Sequence, residues 1–146
     1  MKIGDLATRT GAAVETIRFY EAEGLLQAPE RAANNYRTYG EEHIKRLSFI
    51  LRCRSLDMAH DEIRALLKLQ DDLGRTCVEV DTLLAEHGRH IDERITELKE
   101  LKKQILEVRS SCASSGCIGD CGALESLRQT TGANRTARGN RGRVHR

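Results

Sequence analysis

CVEVDTLLAEHGRHIDERITELKELKKQILEVRSSC, residues 77–112, is the stretch whose reading decides the fold. Between its cysteines there is no proline and a single glycine, Gly88. Leu84, Ile91, Leu98 and Ile105 recur at sevens, and Val80, Leu101 and Val108 fill much of the companion position, where His87 and Arg94 also fall. An apolar repeat of seven is the seam of a coiled coil. The remaining face is Glu, Lys, Arg and Asp, as a solvated face should be. One such helix has nothing to bury its stripe against. The simplest partner is its own copy in a two-fold dimer.

The same register runs out to two thiols. Cys77 is seven before Leu84, and Cys112 is seven after Ile105. If residues 78–110 are one continuous helix, these thiols stand roughly 52 Å apart at about 1.5 Å per residue. One chain could not bring both to one atom without a bend. Two antiparallel chains could, because the start of each helix would lie beside the end of the other. A parallel pair would bring like thiols together instead, and the spacing alone leaves both open.

Beyond Cys112 comes Ala113-Ser114-Ser115-Gly116-Cys117-Ile118-Gly119-Asp120-Cys121-Gly122. Small residues and glycines predict a helix end and a short loop, and Ala123–Leu127 a helical turn that packs back. Four residues separate Cys112 from Cys117 and three separate Cys117 from Cys121, which is not a zinc-ribbon spacing. No Cys-x-x-Cys pair is present, so a thioredoxin-type motif is excluded. Thiolates without a histidine in the loop favour a soft ion. Ion binding that deprotonates and orders its ligands can act as a switch. Cys117 is a fourth ligand, a relay thiol or an exposed bystander. Glu62, His87 and His90 could hold a second, harder ion, against the plainer reading of polar residues at the seam. Cys53 has no thiol or histidine near it in sequence and reads as a small core hydrophobe.

The first seventy residues are of another kind. All five aromatics, Phe19, Tyr20, Tyr36, Tyr39 and Phe49, lie among them, as does the single proline, Pro29. Ile3, Leu6 and Ala7 mark one face of a short helix, Thr10-Gly11 breaks it, and a second helix runs from about Val14 to Glu23 before Gly24. Helix, glycine turn, helix is the helix-turn-helix pattern, whose second helix enters the major groove. That helix carries Thr16, Arg18 and Tyr20, with Arg18 able to reach a guanine edge or a phosphate. Arg31, Tyr36, Arg37 and Tyr39 interleave basic and aromatic residues on a small hairpin, with Asn34-Asn35 as its two-residue turn. Such a hairpin suits a wing against the DNA backbone; the alternative is that the tyrosines only pack it onto the core. Helices at about 41–54 and 60–69 complete the domain.

Net charge is only +2, so a nucleic-acid signal must come from placement. Residues 128–146 hold six arginines and no acid, and predict a basic, disordered tail. The first residues lack the apolar stretch of a signal peptide, and no apolar run approaches the ~20 residues of a membrane span. A cytoplasmic protein is expected, without a membrane partner and with reduced thiols. No nucleophile–base pair or phosphate loop suggests an enzyme.

With these residues in view, the chain resembles the MerR family of metal-responsive transcription regulators over residues 1–127. The resemblance is carried by Ile3-Gly4-Asp5-Leu6-Ala7, Glu15-Thr16-Ile17-Arg18-Phe19-Tyr20-Glu21, Gly24-Leu25-Leu26, and Asn35-Tyr36-Arg37 with Tyr39. Cys53-Arg54-Ser55-Leu56-Asp57-Met58 and Leu83-Leu84-Ala85-Glu86-His87 look most like its cadmium- and lead-responsive branch. It departs at Gln27, where proline is usual, at Asn34, where glycine often sits, and at His60, at a commonly apolar position.

The resemblance implies a mainly α protein in four parts. They are a winged helix-turn-helix domain at 1–75, an antiparallel coiled-coil dimerisation helix at 76–111, a metal-binding loop and short helix at 112–127, and, beyond the resemblance, the basic tail at 128–146 read from composition. It implies a Cd(II) or Pb(II) site of Cys112, Cys121 and the partner subunit's Cys77. It also implies a homodimer that binds a palindromic promoter element and acts with RNA polymerase to activate heavy-metal resistance or efflux genes. The alternatives are a mercury- or zinc-responsive member, Hg(II) or Zn(II) then being the ion, or a thiol redox sensor or metal buffer.

Overall fold

The computed structural model describes residues 1–112 and 115–129. The expected loop residues Ala113 and Ser114 and the basic tail from residue 130 lie outside them. The chain divides into two compact units, one of Met1–Leu83 and one beginning at Leu84.

The first unit opens with helix α1, Ile3–Thr10, and helix α2, Val14–Ala22. Each is stopped by a glycine in the left-handed region, Gly11 at φ 77 and Gly24 at φ 73. The amide of Gly11 returns to the Ala7 carbonyl at 2.9 Å, and those of Leu25 and Leu26 to the Tyr20 carbonyl at 2.9 and 3.1 Å. Helix carbonyls that would otherwise lack partners are thereby satisfied.

Strands β1, Glu30–Arg31, and β2, Arg37–Thr38, pair antiparallel with Arg31 opposite Arg37. The hairpin turn differs from the expected Asn34-Asn35 pair. The Ala32 amide bonds the Tyr36 carbonyl at 2.9 Å, and the Asn35 amide bonds the Ala32 carbonyl at 2.8 Å. Of the two asparagines, only Asn35 has positive φ, at 66. A two-residue type I′ turn needs it at both central residues, so the chain takes a longer turn that ends on left-handed Asn35.

Helices α3, Glu41–Ser55, and α4, His60–Gln70, follow. Between them Asp57 sits at φ 61 while the Met58 amide returns to the Cys53 carbonyl at 3.2 Å. The core gathers Leu6, Ile17, Leu25, Leu47, Ile50 and Ile63, each at 0% exposure, with Cys53 among them as expected. The Arg64 guanidinium donates to the Glu23 carbonyl at 2.9 Å, joining α4 to the end of α2.

Helix α5 runs Val78–Ser110, 33 residues and so about 50 Å of rise. Val80 and Leu83, in its opening turns, pack against the first unit's core. In the second unit much of the sevenfold stripe lies open to solvent: Leu84, Leu98 and Ile105 are 46, 49 and 65% exposed, while Ile91, Leu101 and Val108 are half-buried. A 3-10 turn at Ile118–Asp120 and helix α6, Gly122–Arg128, complete what is described. Arg128, at the start of the expected tail, is the last residue of α6 and pairs with Glu125 at 3.3 Å. Among the described residues, no helix is long and apolar enough to cross a membrane.

His60 begins α4 inside an aromatic cluster. Its ring centroid lies 5.3 Å from that of Phe19 and 6.0 Å, edge-on, from that of Tyr20. Its Nε2 is buried without a hydrogen-bond partner. Burial, then the Arg54 guanidinium, hold the imidazole pKa below its ordinary 6.5. A folded pKa below the unfolded one means that the stability is complete above pH 6.5 and is lost as pH falls through the folded value. His60→Leu should raise stability by about 1 kcal/mol at neutral pH by removing an unpartnered buried polar atom. It should also flatten the loss of thermal stability between pH 7 and pH 5, read by calorimetry; an unchanged slope would clear His60 of that role.

Candidate metal centre and nucleic-acid interface

Helix α5 ends one residue before Ser111, and Cys112 follows, its amide still reaching the Arg109 carbonyl at 3.1 Å. Farther on, Cys117 precedes the 3-10 turn. The Asp120 amide returns to the Cys117 carbonyl at 3.0 Å, and the Cys121 amide to the Ile118 carbonyl at 3.2 Å. This tight turn directs Cys121 back to the helix end. The Sγ atoms of Cys112 and Cys121 stand 4.0 Å apart. Two thiolates on one tetrahedral ion at a Zn–S distance of about 2.3 Å would be roughly 3.8 Å apart, and farther on a larger ion. The pair therefore fits a bound soft ion with little movement.

Gly122 makes that approach possible. A Cβ built there would stand 2.2 Å from the Ser111 carbonyl oxygen. Only the missing side chain lets the backbone entering α6 close on the end of α5. The sequence placed Gly122 among the helix-ending glycines without marking this close approach. No local signal separates it from Gly116 or Gly119, which meet nothing within 4 Å.

Cys121 caps α6, and its thiol is held below the ordinary thiol range. The Leu124 amide is the largest cause; the Ala123 amide, the Cys112 thiol and the Arg128 charge add to it, while partial burial opposes them. A thiol that ionises readily is a better metal ligand at neutral pH. Cys117 is exposed. Cys77, also exposed, lies just before α5, with the Asp81 amide on its carbonyl at 2.9 Å. Of the residues weighed for a harder second site, Glu62 caps α4 by accepting the Ala59 amide at 3.1 Å. His87 is buried on α5, and the Nε2 of exposed His90 lies 3.4 Å from Glu86.

The expected DNA face divides into two sets. Arg18 is exposed and Thr16 half-buried on α2, while Arg31, Tyr36 and Arg37 are exposed on the hairpin. Arg31 donates to the Asn35 side-chain oxygen at 3.0 Å, and Tyr36 is 67% exposed. Tyr20 and Tyr39 correct the expectation: they are 5 and 1% exposed and belong to the core. The Tyr39 hydroxyl donates to Glu21 Oε1 at 2.6 Å instead of facing a phosphate. Helical periodicity turns Tyr20 onto α4, and Tyr39, just past the end of β2, is held inward by its hydroxyl's bond to Glu21 and its amide's bond to the Met1 carbonyl.

Comparison with known proteins identifies the family. A family model described as MerR HTH family regulatory protein matches residues 1–70, and one described as MerR, DNA binding matches residues 44–108. A Haemophilus influenzae protein named HTH-type transcriptional regulator ZntR homolog is 43% identical, over 79% of this chain and 85% of its own. The chain belongs to the MerR family. Among MerR relatives, the CueR regulator of Vibrio cholerae is 34% identical over 88% of this chain and 91% of its own. The solved structure of PbrR691 from Ralstonia metallidurans CH34, in complex with lead(II), is 43% identical with a TM-score of 0.78, covering 87% of this chain and 98% of that one. These relatives are transcriptional regulators, not enzymes, and the chain is a metal-responsive regulator of the MerR type. MerR regulators bind promoter DNA as dimers.

Gly122→Ala should weaken metal binding by about 10–100-fold, the scale on which groups supporting a ligand act. A titration followed by thiolate-to-metal charge-transfer absorbance checks it, and unchanged affinity would mean the backbone approach is dispensable. Separately, burial, reinforced by Glu21, pushes the Tyr39 hydroxyl up to about 12. Folded above unfolded, this pKa gives stability that is complete below pH 10 and lost as pH rises toward 12. Tyr39→Phe should remove the highest-titrating step from the tyrosinate absorbance curve.

Proposed function

We propose that this chain is a homodimeric activator of heavy-metal resistance genes that answers to Cd(II) or Pb(II). The observation that carries the reading is the Cys112–Cys121 thiol pair, 4.0 Å apart just beyond a 33-residue helix whose apolar stripe is uncovered. Two copies packed antiparallel would cover that stripe; each leucine or isoleucine buried contributes about 1.5–3 kcal/mol. The same packing would bring Cys77 of the partner subunit to each thiol pair and complete three soft ligands. Cys117 stands as an auxiliary thiol of the loop.

Each winged helix-turn-helix would take half of a palindromic promoter element, Arg18 in the major groove and Arg31, Tyr36 and Arg37 on the backbone. Metal would favour an arrangement of the two DNA-binding domains that distorts the duplex and lets RNA polymerase initiate. Deformation of this kind costs about 1–6 kcal/mol, and it must be met by the metal's higher affinity for the activating state.

The all-thiolate set favours a soft ion, and the relative solved with lead(II) shares 43% of its residues. Zinc is the second reading, because a relative named a ZntR homolog is equally similar. Comparative titration of the purified dimer with Cd(II), Pb(II), Hg(II) and Zn(II), each paired with transcription from the promoter, separates these.

Two outcomes test the site itself. Cys112→Ser should abolish metal-induced transcription while operator affinity stays within about twofold, because the thiol belongs to the second unit and not to the one that carries the DNA-binding residues. A mixed dimer, one chain with Cys77→Ser and the other with Cys112→Ser and Cys121→Ser, should keep one of the two metal sites; a dimer that binds none would sink the cross-subunit model.

A further inference from the structure

Glu21 lies on α2 one turn after Arg18, and it faces the hairpin instead of solvent. Its side chain is 13% exposed. Oε1 accepts the Tyr39 hydroxyl at 2.6 Å. Oε2 lies 4.0 Å from Nη1 of Arg37, whose side chain is 57% exposed. Tyr39 is fixed again through its main chain, its amide donating to the Met1 carbonyl at 2.9 Å. A single carboxylate on the recognition helix thus receives both a buried and an exposed group from the end of β2. A carboxylate so far removed from water needs such partners. It is also out of place by charge alone, since a negative group beside a phosphate-binding guanidinium weakens attraction to DNA.

We propose that Glu21 is a positioning residue for promoter recognition, one that acts through Tyr39 and Arg37 and touches no DNA itself. Through Tyr39 it fixes β2 against α2, and so sets the distance between the groove reader Arg18 and the backbone contact Arg37. Through its second oxygen it restrains the Arg37 guanidinium until a phosphate competes for it. At the correct site, with Arg18 seated, that phosphate is in place and Arg37 exchanges partners. On other DNA the carboxylate keeps its share of Arg37 and binding is weaker. Glu21 gives up some general affinity and gains discrimination. This role rests on the DNA-binding reading of Arg18 and the hairpin proposed above.

The test uses the full-length dimer, a duplex selected from a random pool by the wild-type protein, and a scrambled duplex of equal length. Affinities for both are measured across a salt series for the wild type, Glu21→Gln, Tyr39→Phe, Arg37→Ala and the Glu21→Gln/Arg37→Ala pair. Glu21→Gln should tighten binding to scrambled DNA, lower the selected-to-scrambled ratio by about tenfold, and steepen the salt slope on scrambled DNA by about one released counterion. Tyr39→Phe should lower the ratio without changing that slope. With Arg37→Ala already present, Glu21→Gln should no longer tighten binding to scrambled DNA. Equal loss on both duplexes, in step with lower thermal stability, would reduce Glu21 to a structural role and overturn the proposal, as would an unchanged ratio. A wild-type dimer that does not tell the two duplexes apart would remove the DNA-binding reading itself, before any variant is compared.

Discussion

A helix of 33 residues holds its ends about 50 Å apart, and most of what this protein can do follows from that fixed length. Backbone hydrogen bonds leave the helix no way to shorten. The thiol before it and the thiols after it therefore belong to different neighbourhoods of one chain. An uncovered apolar stripe along the same helix supplies the remedy, since a helix with no core of its own is stabilised by a second helix. In the dimer proposed above, one repeat of seven would bear on oligomeric state and on ligand supply together, and changing the register at the seam would disturb both.

The N-terminal unit works under a different constraint. Its recognition helix is nine residues long, too short to persist in water alone. Ile17 and Tyr20 fasten one face of it to the core, His60 and Phe19 continue the contact toward α4, and Arg64 secures the carbonyl of Glu23 at its end. The face that remains is narrow and carries Arg18. Rigidity on the buried side is what gives a single exposed guanidinium a defined position.

Much of this was legible in the sequence. The stripe of α5, both turn glycines and the loop thiols are local patterns, and local patterns survive translation into structure. Arg18, Tyr36 and Arg37 are exposed, as the basic and aromatic spacing led one to expect. Tyr20 and Tyr39 were misplaced because a tyrosine fits a core and a phosphate equally well; which way it faces is settled by partners distant in sequence, Glu21 for Tyr39 and α4 for Tyr20. Asn34-Asn35 misled because the pair satisfies two turn types, and hairpin pairing chooses between them. Gly122 and Glu21 act through contacts with Ser111, Arg37 and Tyr39, and no spacing rule points to any of these.

The near contact of Gly122 with Ser111 also bears on how tightly the proposed site would hold an ion. Flexible chelators lose conformational entropy when they close, at about 1–2 kcal/mol for each residue whose backbone is fixed. Here two sulfurs are already brought to chelating distance by one stretch of main chain resting on another. Much of that ordering is complete before any ion arrives, so affinity can be adjusted by how well the turn closes while the ligand atoms stay the same. A lineage could drift in sensitivity through small-residue changes in the turn, keeping every cysteine in place.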